Sequence, residues 1–96
     1  MYDPIKMVYI YYTEKGRKQK VYLTHTENML LYCLNENKNK IVSLEELSAF
    51  MLEAKLDYNN YKIIVTAKSR LVKKLKKHLI IVTYNKVGYM LTKLGE

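Results

Sequence analysis

The sequence predicts an α+β fold in which three helices lie between an N-terminal and a C-terminal β-hairpin. Three observations predict it. Strand-forming runs rich in tyrosine and β-branched residues come in pairs at the two ends, 7–12 with 18–23 and 79–84 with 87–92. Between them, Thr24 with Glu27 and Ser43 with Glu46 stand at capping-box spacing, each just before an apolar run. A third central stretch, 61–78, has helical periodicity with charge of one sign on one side.

The chain of 96 residues is long enough for one hydrophobic core and one domain, 1–96. Within it, 1–23 reads as N-terminal strands, 24–78 as a three-helix core and 79–92 as a closing hairpin. MVYIYY at 7–12 carries no breaker, the Gly-containing TEKGR makes a turn, and KQKVYL at 18–23 resumes the extended pattern. Thr24 then opens a helix over 24–36 whose apolar residues at 29, 30, 31, 33 and 34 form a broad buried face, and which ends in the polar run 35–40. After the brief apolar pair Ile41-Val42, Ser43 caps a helix over 43–53 with Leu44, Leu47, Phe50 and Met51 on one side. The turn residues LDYNN lead into the third helix, about 60–77. LIIVT is dense in β-branched residues, 84–86 turns, and VGYMLT returns, with Gly88 marking a close backbone approach or a bulge.

The third helix carries the functional signal. From Lys62 to Lys77 it has six lysines, one arginine and no acid. At 100° per residue, Ile64, Leu71 and Leu75 fall on one line, flanked by Val65, Ala67 and Val72. Lys62, Thr66, Ser69, Arg70, Lys73 and Lys77 face the other way. A charged face is more often simply solvated. Here, however, no acid sits at i−4 or i+4 to neutralise the cations. The apolar stripe is too narrow, and too poor in Trp and Phe, for a membrane-surface helix.

Composition points the same way. The formal charge is +8, and no carboxylate occurs among nine cations from Tyr58 to Gly95. The balance implies an acidic partner, nucleic acid first among them. The single cysteine, Cys33, reads as a buried core thiol. No run reaches membrane-spanning length and no signal peptide is evident, so the chain reads as cytoplasmic. Scattered carboxylates, two unpartnered histidines and the lack of a phosphate-cradling glycine loop argue against an enzyme. With one Cys in the chain and no second His near it, His25 is a poor metal ligand, and neither metal nor cofactor is expected.

Three helices closed by a hairpin directly after the basic helix describe a winged helix-turn-helix, in which one helix enters the DNA major groove. Particular residues sharpen this. Leu23-Thr24 with Glu27, Leu30 and Leu31, Val42-Ser43 with Glu45 and Leu47, Arg70-Leu71 with Lys74-Leu75, and Thr83 with Val87-Gly88-Tyr89 occur in order over about Leu23–Thr92. In this the sequence resembles the DNA-binding effector domain of OmpR/PhoB-type response regulators of two-component systems. It departs from that pattern at Val72, where Arg is usual, at Lys68, where an aliphatic is usual, at Leu52, where an aromatic is common, and at Lys86, where Gly is common. No receiver domain precedes these segments, so the chain reads as an excised effector domain or a stand-alone relative.

The resemblance and the charge pattern imply a sequence-specific, double-stranded-DNA-binding transcription regulator. Lys62, Lys74, Lys76 and Lys77 are expected on phosphates. Thr66, Ser69, Arg70 and Lys73 are candidates for base edges, Arg70 foremost because guanidinium pairs in a bidentate way with guanine. Asn85 and Lys86 at the wing tip are expected on backbone or minor groove, and Ser43 at a helix N-terminus on a phosphate. By resemblance, the loop 54–61 would contact RNA polymerase, and binding on DNA would be tandem or dimeric. Two rival readings are an RNA-binding module that stacks bases on Tyr9, Tyr11 and Tyr22, and a winged helix that binds only protein.

Overall fold

The structure, a computed structural model, describes residues 1–95. Its elements follow in the order β1 (Tyr2–Asp3), β2 (Val8–Tyr12), β3 (Lys18–Tyr22), α1 (His25–Glu36), β4 (Val42–Ser43), α2 (Leu44–Leu52), α3 (Tyr58–Leu75), β5 (Leu79–Tyr84) and β6 (Gly88–Leu94). This is the α+β winged-helix architecture anticipated above.

Both capping boxes form. Thr24 Oγ1 accepts the Glu27 N–H while the Glu27 carboxylate accepts the Thr24 N–H, and Ser43 and Glu46 repeat the exchange. α3 starts two residues earlier than expected because the Asp57 carboxylate caps it, accepting the Asn60 N–H at 2.7 Å. It also ends earlier, at Leu75, and Lys76–His78 form a turn into the wing.

The apolar line read from α3 is the centre of the core. Ile64, Leu71 and Leu75 are completely buried against Leu30, Leu31 and Leu34 of α1, Leu47 of α2 and Leu91 of β6. Burial of each such side chain contributes about 1.5–3 kcal/mol relative to exposure, so this cluster fixes the three helices on one another. Cys33 is buried with it, and burial pushes its thiol up.

The two sheets contain more strands than the sequence showed. The N-terminal sheet has order β1-β2-β3, and the wing sheet has order β4-β6-β5. The added strands, β1 and β4, are two residues long, too short to carry an alternating pattern. β1 is held by side chains as well as pairing. The Tyr2 hydroxyl donates to Asn28 Oδ1 of α1 at 2.5 Å, and Asn28 Nδ2 donates to the Pro4 carbonyl.

β4 explains Gly88. Ser43 pairs with Gly88 and Val42 with Tyr89, bringing the backbones so close that a Cβ on Gly88 would lie 2.0 Å from the Val42 carbonyl oxygen. Close approach is therefore its role; the register shift of the wing lies elsewhere, between Ile80 and Ile81. The obstacle is backbone, which cannot rotate away. Gly88→Ala is expected to lower stability by about 1–3 kcal/mol or more, through separation of β4 from β6. Urea unfolding monitored by circular dichroism measures this, and an unchanged midpoint would contradict the packing described.

Candidate nucleic-acid interface

α3 presents its outward face as the periodicity requires. Lys62, Thr66, Ser69, Arg70, Lys73 and Lys77 are all exposed, while Ile64, Ala67, Leu71 and Leu75 are buried beneath them. Ile63, Thr66, Arg70 and Lys73 run along one row, because steps of three and four residues return to the same side of a helix, and Lys77 follows in the turn after α3. Lys62, Thr66 and Arg70 also border a groove of about 360 Å³ between α3 and the start of α1, with Thr24 and Thr26 opposite. No Asp or Glu lies on α3 itself.

The wing completes a convex, cationic edge. Asn85 and Lys86 are the exposed central residues of the turn closed by the Val87 N–H and the Tyr84 carbonyl at 2.9 Å. Lys86 adopts φ +62°, the left-handed conformation that glycine takes without strain. Lys68, unexpected beside the apolar line, is half-buried with its ammonium 5.7 Å from the centre of the Tyr89 ring. Its stem covers apolar surface while its charge rests on an aromatic face. Lys62 makes a similar contact with the exposed Tyr58 ring, at 5.3 Å.

The family model for "Transcriptional regulatory protein, C terminal" matches residues 18–91, which span all three helices and most of the wing. The chain belongs to that family. It is a family of transcription regulators, not of enzymes. Among solved structures, the chain is similar to the DNA-binding domain of CpxR from E. coli, with 28% identity, 97% of this chain and 89% of that chain covered, and a TM-score of 0.74. The DNA-binding domain of Bacillus subtilis CssR shares the fold at 22% identity, with 86% and 90% covered and a TM-score of 0.70. So does the AdeR DNA-binding domain in complex with an intercistronic region, at 19% identity, with 97% and 93% covered and a TM-score of 0.74. No curated relative matches the chain.

Within this regulator domain, two of the residues expected on phosphates are differently engaged. Ser43 is one. Its hydroxyl accepts the Glu46 N–H and donates to Glu46 Oε1, its own N–H goes to the same carboxylate, and the Leu44 N–H goes to the Val87 carbonyl. The Ser43 hydroxyl and N–H and the Leu44 and Glu46 N–H groups are already used, and Glu45 and Glu46 add negative charge at that helix start. Lys74 is the other. Its ammonium is drawn back to the buried Glu27 carboxylate at 2.6 Å and to the Tyr22 carbonyl at 3.1 Å.

The tyrosine platform does not assemble either. Tyr9 pairs with Val21 and Tyr11 with Gln19, whereas Tyr22 pairs with Val8, so Tyr22 points to the opposite face of the sheet from the other two. Tyr9 is buried, and the Tyr11 ring packs 4.2 Å from His78. That removes the support for base stacking by these three residues. Of the exposed residues of α3, Ile63 had no assignment from sequence, and Tyr61 fell only within the loop 54–61. In the run YKIIV the helical wheel alone does not single out either of them, and exposure does.

Among the described residues, no group of three or more His, Cys, Asp or Glu is placed to hold a metal ion, and no helix is long and apolar enough to cross a membrane.

The Glu27–Lys74 pair generates an asymmetric expectation. Burial opposes ionisation of Glu27, but hydrogen bonds from the Lys74 ammonium and the Thr24 N–H outweigh it and hold the carboxyl below its ordinary range. Lys74→Met leaves this carboxylate buried without its cation and is expected to cost about 3–5 kcal/mol. Glu27→Gln keeps the shape and leaves Lys74, 34% exposed, free to turn to water, so a smaller loss of about 1–3 kcal/mol is expected. A carboxyl whose folded-state pKa is depressed stabilises fully above its unfolded value. The wild-type contribution is therefore present above about pH 4.5 and lost as pH falls through the lower folded value. Denaturant titrations between pH 7 and pH 3 read both effects; Glu27→Gln should lack this part of the acid dependence.

Proposed function

We propose that this domain is a sequence-specific, double-stranded-DNA-binding transcription regulator, with α3 in the major groove and the turn of the β5–β6 wing on the flanking backbone. The observation that carries this is the outward row of α3, cations and hydroxyls without a carboxylate, backed by a fully buried opposite face. A helix about 10–12 Å across is a size the major groove admits. The likeness to the CpxR and AdeR DNA-binding domains supports the reading, and the latter was solved with an intercistronic region.

Roles follow from position. Thr66, Ser69, Arg70 and Lys73, in the middle of the exposed face, read base edges, with Arg70 on guanine. Lys62, Lys76 and Lys77, and Lys86 with Asn85 on the wing, hold phosphates and orient the domain. Lys74 and Ser43 leave that set because other partners already occupy them. Action in the cytoplasm, contact with RNA polymerase through the segment 54–61, whose residues 58–61 form the first turn of α3, and tandem or dimeric binding on DNA belong to the same reading.

Binding to duplex DNA is expected to weaken steeply with salt, with a log–log slope of about −4 to −7 if roughly five to eight phosphates are neutralised. Arg70→Ala should cost about 1–3 kcal/mol on a site selected from a random duplex library and much less on random duplex. Lys77→Ala and Lys86→Ala should weaken both alike and reduce the salt slope by about one. Fluorescence anisotropy titrations at several salt concentrations measure all three. A flat salt response would overturn the proposal, and equal losses for Arg70→Ala on the two DNAs would move base reading elsewhere on α3.

A further inference from the structure

Between the first turn of α3 and the turn end of the wing lies a cleft of about 30 Å³, lined by Tyr61, Thr83, Asn85, Lys86 and Tyr89 among others. That volume admits one water-sized group and excludes a base. No carboxylate lines it. Among the described residues, the hydroxyls of Tyr61 and Thr83 and the side chains of Asn85 and Lys86 make no hydrogen bond to protein. Lys68, over the ring of the lining residue Tyr89, adds positive charge nearby. Burial, and then the neighbouring Tyr61 phenol, push the Tyr89 phenol up, so it stays a protonated donor at neutral pH. A single-oxygen cleft surrounded by unused donors and free of acids suits an anionic oxygen, and in a DNA-binding domain the anionic oxygen at hand is a non-bridging phosphate oxygen.

Resting on the DNA-binding reading above, we propose that the Tyr61 hydroxyl, together with Thr83, grips a phosphodiester oxygen of the strand that passes between α3 and the wing. Tyr61 suits the task because it is 37% exposed and comes from the rigid start of α3, where Asp57 fixes the first turn. It ties the recognition helix and the wing to one phosphate, which sets how far α3 enters the groove.

Tyr61→Phe removes only the hydroxyl and keeps the ring. In anisotropy titrations it is expected to weaken binding about tenfold on selected and random duplex alike. The salt slope should not change, because a neutral donor displaces no counterion, in contrast to Lys77→Ala or Lys86→Ala. A scan of the selected duplex with single methylphosphonates should reveal one phosphate whose neutralisation weakens the wild type about tenfold and Tyr61→Phe little. A thermal midpoint equal to wild type confirms that the variant is folded. Unchanged affinity of Tyr61→Phe, a loss confined to one base sequence, or identical methylphosphonate profiles for the two proteins would overturn the inference while leaving DNA binding intact. Failure of the wild type to bind any duplex would remove both.

Discussion

One carboxylate holds the orientation of this domain. Glu27 accepts the Thr24 N–H to start α1, pairs with Lys74 near the end of α3, and through Lys74 reaches the Tyr22 carbonyl at the end of β3. The first sheet, the first helix and the last helix therefore meet at a single buried anion. Apolar packing alone does not define such a meeting, because leucines tolerate small rotations and slides that a short ion pair does not. A buried pair adds little net stability over a well-packed apolar replacement, since desolvation offsets most of the attraction. Its effect here is positional. It fixes the rotation of α3 about its axis, and that rotation decides which residues face outward.

The same rotation partitions the charge. Of the cations on α3, Lys74 turns inward to an acid, Lys68 lies on Tyr89, and Lys62, Arg70 and Lys73 remain exposed without an ion pair among the described residues, as does Lys77 in the turn that follows. Unpaired cations on one helix face repel one another and weaken the folded state slightly. The core offsets that cost from the opposite side of the same helix, where Ile64, Leu71 and Leu75 are fully buried. Stability and reactivity toward a polyanion thus occupy opposite faces of α3, with Glu27–Lys74 at the border between them.

Much of this was legible in the sequence because the informative signals are local. The Thr24–Glu27 and Ser43–Glu46 spacings gave the starts of α1 and α2, the Ile64–Leu71–Leu75 line gave the buried face of α3, and Gly88 marked a close approach or a bulge, of which the first is realised. What escaped depends on partners distant in sequence. Val42–Ser43 becomes a strand only because Tyr89 and Gly88 lie beside it. Lys74 looked like its neighbour Lys73, and only Glu27, 47 residues earlier, distinguishes them. Ser43 was read both as a cap and as a phosphate donor, and its hydroxyl cannot serve fully in both. Asp57 is a local signal that was available: an N-cap residue before a helical run. It was passed over inside LDYNN, whose composition resembles a turn.

The wing shows how these constraints extend to the site. The β5–β6 hairpin does not hang from α3 by the Lys76–His78 turn alone, because β4 adds a third strand that ends in the N-cap of α2. Gly88, pressed against the Val42 carbonyl, locks the turn end of the hairpin to that cap. Two residues before it, Lys86 takes a left-handed conformation that costs a non-glycine residue about 1–2 kcal/mol. Glycine would relieve that strain and remove the cation. A lysine in this conformation, on a hairpin held by β4 beside its turn, places a positive charge at a defined distance from the exposed row of α3. Strain of this kind persists where the surrounding structure over-determines it, and here the pairing of β4 with Gly88 beside the turn supplies that determination. The wing therefore acts as a fixed second jaw beside α3, and the cleft between them has its shape before any ligand arrives.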